Sequence, residues 1–267
     1  VLLYEQYPNN YLSDSARRTR WIRGDWQLLN WLRPQVRKAD GSRDKNPLSM
    51  LSRWKLLDNL RRSLVAPSLL VLLFCALLWV PNPLYWLGVL TIFWLLPAVM
   101  CIVLDLLHKP LRRPLKQHLK LVMAGALKRL SRTALNFVIL PHEAGYSFYA
   151  IGVTLWRLGV SHRNLTQWTS HSPDSTRDNI SIWRFSRAMW VNLVCGVALT
   201  ALTMTFAPQF LAIAISISIA WCLAPLLMSW LSRPPMRKVF SPNQQQKLLL
   251  HQTSREIWAF FETFVTE

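Results

Sequence analysis

The sequence predicts an all-α membrane protein built from two transmembrane helical hairpins and amphipathic helices at the membrane interface. Three observations predict it. Of the 267 residues, 52% are hydrophobic and only 16% are charged, whereas a soluble domain carries about 25% charged residues. Four apolar stretches reach the roughly 17–25 residues with which a helix crosses hydrocarbon. The basic residues behind the net charge of +18 lie between these stretches and hardly at all within them.

The first stretch, LVAPSLLVLLFCALLWV at 64–80, is followed after PNP by LYWLGVLTIFWLLPAVMCIVLDLL at 84–107. The second pair is AMWVNLVCGVALTALTMTF at 188–206 and QFLAIAISISIAWCLAPLLMSWL at 209–231, joined by AP. Connections this short make hairpins, 64–107 and 188–231. Strands are disfavoured, because an open sheet edge in lipid leaves backbone groups unpaired. Neither turn is charged, while residues 1–63 and 108–187 hold 13 Lys and Arg each and residues 232–267 hold 5. The positive-inside rule then puts all three basic segments, and both ends, on the cytosolic side of a bacterial inner membrane.

Within residues 1–63, DWQLLNWLR and LSMLSRWKLLDNLRR read as short amphipathic helices separated by a polar loop, KADGSRDKN. In the middle segment, 108–187, LKQHLKLVMAGALKRLSRTALNFVIL sets Lys116, Lys120, Lys128, Arg129 and Arg132 between apolar residues at helical intervals. Such a helix suits the membrane interface. YAIGVTLWRLGVSHRNLTQW, with Trp156 and Trp168, also reads as helical, and the whole segment is expected along the inner bilayer face. HKPLRRP and SRPPMRK combine prolines that end a helix with cations that anchor it. Residues 232–267 read as a linker entering a further domain, with Ile257, Phe260, Phe261 and Phe264 on one helical face that suits docking. With no initial Met, the chain is expected to continue on both sides.

Several function classes lose ground. The four cysteines (Cys75, Cys101, Cys195, Cys222) sit in apolar runs and form neither a C-x-x-C pair nor a zinc spacing. Nucleic-acid binding is disfavoured because positive charge tracks the membrane boundary and gathers on no soluble face. His142-Glu143 lacks the second His of a zincin and reads as a loop pair. Asp105 falls near the cytosolic end of the second stretch.

Residues 17–27, RRTRWIRGDWQ, need more than a topogenic explanation. The guanidinium groups of Arg17, Arg18, Arg20 and Arg23 could grip a pyrophosphate by bidentate, charge-assisted hydrogen bonds. A neighbouring Trp offers a flat face to a sugar ring, Asp25 can hold an arginine, and Gly24 permits close backbone approach. A juxtamembrane helix with anchoring arginines and boundary tryptophans fits the same residues, and composition leaves both readings open.

Arg17-x-x-Arg20-Trp21 resembles the [QR]-x-x-R-W signature of processive membrane glycosyltransferases. RTRWIRGDWQLLNWL and NPLSMLSRWKLLDNLRRSLVAPSLL are closer still to the glycosyltransferase part of cyclic β-1,2-glucan synthases. The likeness continues, in order, through LPHEAGYSFYAIGVTLWRLGVSHRNLTQWT (140–169), LSRPPMRK (231–238) and REIWAFFETFV (255–265).

This resemblance implies the C-terminal part of a GT-A-type processive glycosyltransferase. It implies that Arg17 and Arg20 contact the diphosphate of UDP-glucose, that Trp21 is a platform for the glucan acceptor, and that Arg23, Asp25 and Trp26 support them. The family's D-x-D, which holds Mg or Mn, and its base carboxylate lie upstream. Residues 1–16 offer only Glu5 and Asp14, read as solvated loop acids, so no catalytic or metal-binding residue is expected here. An inverting transfer needs both elements, and this stretch alone is expected to be inactive. Implied partners are the bilayer and downstream glycosidase- and phosphorylase-like domains, with no nucleic acid. The alternatives are a linear periplasmic-glucan glucosyltransferase, or a non-catalytic anchor or transporter; a transporter would carry broken or charged spans.

Overall fold

The computed structural model describes residues 10–37, 41–110, 113–164, 181–233 and 242–265. Among them the all-α membrane fold is borne out. In chain order the elements are α1 (Tyr11–Gln27), a hairpin of β1 (Gln35–Arg37) and β2 (Arg43–Lys45), α2 (Met50–Leu78), α3 (Pro83–Leu107), α4 (Leu115–Val138), α5 (Leu140–Trp156), α6 (Ile182–Ala188), α7 (Trp190–Phe206), α8 (Leu211–Leu231) and α9 (Gln244–Phe264). They fall into two units, Val1–Arg233 and Pro234–Glu267. Three helical stretches, Met50–Leu78, Pro83–Leu107 and Pro208–Leu231, are long and apolar enough to cross a membrane, and α6 with α7 makes a fourth bent by 60°.

The capping chemistry of α1 is local. Asn10 accepts the Ser13 amide at 2.9 Å, satisfying a donor the helix start leaves open. The expected polar loop after it closes into the short hairpin, Gln35 opposite Lys45. Buried Asn46 fastens its base, donating to the carbonyls of Trp31 at 2.6 Å and Arg33 at 2.8 Å.

The expected amphipathic helix near 49–63 and the span from 64 are one 29-residue helix, α2. Nothing in DNLRRSLV breaks it, and Asp58 pairs with Arg61 at 2.8 Å and Arg62 at 2.6 Å, the i,i+3 and i,i+4 spacings that support a helix. The chain then turns at Asn82 in the left-handed region (φ 59°), with Pro83 opening α3; Pro suits that first position because its missing N–H would have no partner there. The expected straight span at 188–206 is the corrected one. The helix bends at Met189, which brings Phe185 and Met189, 2% and 0% exposed, into a cluster with Ile139, Ala224 and Met228.

Small and polar residues knit α7 to α8, as suits helices in lipid. Ser218 donates to the Gly196 carbonyl at 2.8 Å and bonds Thr200 at 2.8 Å. Trp221, fully buried, packs near Phe74 and Phe137 at ring distances of 6.4 and 6.3 Å. The α4–α5 junction explains its indole orientation. Pro141 has no N–H for the Phe137 carbonyl four residues earlier, and Trp221 Nε1 donates to that carbonyl at 3.1 Å. Buried Asn192 donates to the Val138 and Trp221 carbonyls at 3.0 and 3.3 Å.

The second helix expected in the middle segment is present as α5. α5 packs against α1, α2 and α7, burying Leu140, Ala144, Ala150 and Ile151. Gly145 makes the approach to α7 possible, since a Cβ there would lie 3.1 Å from Val191. α4 lies against α3, where Trp94 donates to the Thr133 carbonyl at 3.1 Å and Arg129 pairs with Asp105 at 2.5 Å. In the second unit, α9 opens with a capping box between Asn243 and Gln246, and Ile257, Phe260, Phe261 and Phe264 stay exposed. Trp168 and most of SRPPMRK lie outside the described residues. All four cysteines are free thiols.

Candidate functional site

A cleft of about 1060 Å³ opens between α1, α2, α3, α4 and α5. Its lining changes character along its length. At one end stand Arg17, Arg20, Trp21, Asp25, Arg62 and Glu143; at the other, Leu69, Phe93, Trp94 and Pro97.

α1 supplies much of the polar end because of its periodicity. Arg17, Arg20, Trp21 and Gly24 line the cleft, at the i, i+3, i+4, i+7 spacing of one helical face. The Arg17 guanidinium lies over the Trp21 ring, 4.7 Å from its centroid, within cation–π range. An indole has two faces and Arg17 covers one. Trp21 remains 57% exposed, enough open ring to take a second flat partner. No Cβ at Gly24 would meet an atom within 4 Å, so its smallness leaves space without relieving any clash.

The expected supporting residues divide. Asp25 lines the cleft and accepts from Asn59 Nδ2 at 3.2 Å. Burial raises its pKa above the usual carboxylate value, against the Asn59 hydrogen bond and the charge of Arg62. Within α1, Arg17 and Arg18 are held by Asp14. Asp14 pairs with Arg17 at 2.7 Å and Arg18 at 2.8 Å, with its side chain only 20% exposed, which corrects its reading as a solvated loop acid. Arg23 and Trp26, with Thr19, occupy another stripe at i, i+4, i+7. Trp26 donates its indole N–H to Ser63 at 2.8 Å and so ties α1 to α2. Arg23 is outside the cleft lining, with its Nε buried and unpartnered. Glu5 lies outside the described residues.

His142 and Glu143, read as a loop pair, are in the first turn of α5, and Glu143 lines the cleft while His142 is buried behind it. Pro141 opens this helix, as Pro suits a first turn. Tyr11 Oη lies 2.8 Å from His142 Nδ1. Glu143 accepts from Arg18 at 3.3 Å and is hydrogen-bonded to Tyr146. Burial pushes the His142 pKa down to about 4 and keeps the ring neutral. Burial likewise raises Glu143, with Arg18 and Tyr146 opposing, and raises Tyr146. The sequence carried one hint of this: Glu143, Tyr146 and Ser147 recur at helical spacing, and all three line the cleft.

Chemically, the polar end can bind an anion and stack a ring. Among the described residues no three His, Cys, Asp or Glu side chains gather where they could hold a metal ion, so the divalent cation implied by the resemblance has no donor set there.

No family model matches the chain. Among curated proteins it is similar to the cyclic beta-(1,2)-glucan synthase NdvB of Rhizobium meliloti (strain 1021), with 28% identity over 274 residues. The match covers 100% of this chain and 9% of that protein, so the chain spans less than a tenth of the relative's length. The resemblance to cyclic β-1,2-glucan synthases is therefore shown from one end of the chain to the other, and what this chain resembles is one segment of such a protein.

Proposed function

We propose that this chain is the membrane-embedded, acceptor-handling part of a β-1,2-glucan synthase, which transfers glucose from UDP-glucose to a growing glucan. The observation that carries the reading is the α1 face on which Arg17, Arg20 and Trp21 together line the cleft. Arg17 and Arg20 contact the donor diphosphate through charge-assisted hydrogen bonds. Trp21 presents its open ring face to the acceptor sugar. Asp14 holds Arg17 in place, and Trp26 fixes the helix on α2. A volume of about 1060 Å³ lies at the upper end of the range of ligand pockets, room enough for a sugar beside a diphosphate.

The base carboxylate and the Mg or Mn site belong, in this reading, to a D-x-D-bearing region of the parent protein. In this reading the cleft faces the cytosol at the inner membrane, where sugar nucleotides are made, and the basic residues around it support that orientation by the positive-inside rule. Glycosidase- and phosphorylase-like domains of the same parent receive the product.

The test is incorporation of labelled UDP-glucose by membranes containing the parent protein with Arg20→Ala or Trp21→Ala. Each is expected to lose at least about tenfold in rate, the effect of roughly 1.4 kcal/mol, at unchanged protein level. Full activity in either variant overturns the assignment.

A further inference from the structure

The cleft does not end below its arginines. From Arg62 one face of α2 runs through Ala66 and Leu69 to Leu73, roughly 16 Å at 1.5 Å per residue. Arg62, Ala66 and Leu69 line the cleft. Leu69 and Leu73 line a further cavity of about 210 Å³, which shares Leu69, Trp94 and Leu140 with the cleft. The two spaces adjoin at those three residues.

The wall of this extension is one-sided in its chemistry. Thr91 and Trp94 contribute its side-chain polar atoms, and both are engaged elsewhere. Thr91 Oγ1 donates to the Leu87 carbonyl at 2.7 Å, and Trp94 Nε1 to the Thr133 carbonyl at 3.1 Å. A sugar entering here would give up hydration and find only the Thr91 oxygen, as one acceptor, for all its hydroxyls, an unfavourable exchange. A hydrocarbon chain has no such requirement, and apolar cavities accept apolar guests. At the mouth the chemistry reverses. The Arg62 side chain, paired on one side with Asp58 at 2.6 Å, is 69% exposed and faces the same cleft as Arg20 of α1.

We propose that the extension is a lipid site: a lipid with an anionic phosphate head sets that head on Arg62 and Arg20 and threads one acyl chain past Leu69 and Trp94 into the 210 Å³ cavity. The proposal shares Arg20 with the transferase reading and goes beyond it in Arg62 and the apolar cavity, while Arg17 and Trp21 take no part in it. A bound chain of this kind fills the seam between α2 and α3.

The test uses the protein in nanodiscs containing phosphatidylglycerol or phosphatidylcholine with a diazirine on the acyl chain, followed by peptide mapping. Label is expected on 66–73 and 87–94, about fivefold stronger from phosphatidylglycerol, the factor one basic residue near a membrane surface supplies. Arg62→Gln should at least halve the preference, Arg20 remaining, and Leu69→Trp should block the neck and clear label from Leu87 and Leu90 while the exposed Ile92 and Phe93 stay labelled. Should Leu69→Trp not fold, Ile217→Trp plugs the same cavity from α8, and the head-group preference needs no variant at all. Equal labelling by the two lipids, or labelling indifferent to a plug, overturns the proposal. Displacement of phosphatidylglycerol by millimolar inorganic phosphate also overturns it, assigning the arginines to a soluble anion. No sugar nucleotide enters the experiment, so its outcome is separate from that of glucosyl transfer.

Discussion

Arg18 on α1 reaches Glu143 on α5 at 3.3 Å, across 125 positions of sequence, while the same guanidinium holds Asp14 at 2.8 Å. One side chain thus sets the position of the arginine-bearing helix against the back wall of the cleft. A double-mutant cycle with Arg18→Gln and Glu143→Gln should return a coupling of about 0.5–1 kcal/mol in detergent-solubilised unfolding, modest because Arg18 is half exposed. A coupling near zero would leave Tyr11–His142 as the tie between the two helices.

Trp21 should separate function from stability. Its exposed ring predicts that Trp21→Ala changes unfolding by no more than about 0.5 kcal/mol, while acceptor KM rises about tenfold. Trp21→Phe, which keeps an aromatic face, should recover most of that loss. Equal effects on stability and transfer would count against a stacking role.

His142 makes the fold sensitive to acid. Its folded pKa is depressed to about 4 from an unfolded value near 6.5. Below 6.5 the unfolded chain takes up a proton that the folded ring refuses, so stability is full above 6.5 and declines as pH falls toward 4. The loss is about 3 kcal/mol at most. Glu143, whose folded pKa is raised, acts oppositely, its destabilisation easing as pH falls. The measurement is therefore a difference: His142→Asn should grow more stable relative to the parent between pH 6.5 and 4. A constant difference across that window would place the proton elsewhere.

Gly145 predicts a rescue. Gly145→Leu drives a side chain into Val191, already 3.1 Å from a Cβ, and should cost about 1–3 kcal/mol by overpacking. Adding Val191→Ala should return at least half, measured by thermal unfolding.

Asn192→Leu removes the donor that serves the Val138 and Trp221 carbonyls. Leaving these carbonyls unpaired predicts a loss of about 1–3 kcal/mol. Asn192→Gln, whose longer amide cannot reach both acceptors from a fully buried position, should recover little.

Hydrophobic length and charge placement made the apolar helices and their tight turns legible, because both are properties of contiguous residues. The continuity of α2 was harder to see. Arg61 and Arg62 look like a boundary in a hydropathy reading, yet paired with Asp58 they prolong a helix. His142-Glu143 misled for a related reason, since the Pro141 before them can close or open a helix and only the fold says which. The arginine and tryptophan face of α1 was visible in its spacing. Glu143 and Tyr146 were not, because their place opposite Arg18 depends on a contact between segments far apart in the chain.

The side chains that complete the α4–α5 corner come from α7 and α8, at Asn192 and Trp221. A ribosome delivers the corner first and its two donors some fifty and eighty residues later. During that interval the carbonyls of Phe137 and Val138 lack their eventual partners, and α5 rests on α1 and α2 without α7. The corner is therefore pinned only once α7 and α8 are in place, and translation halted before residue 190 should leave α4 and α5 formed but their junction without its two side-chain donors.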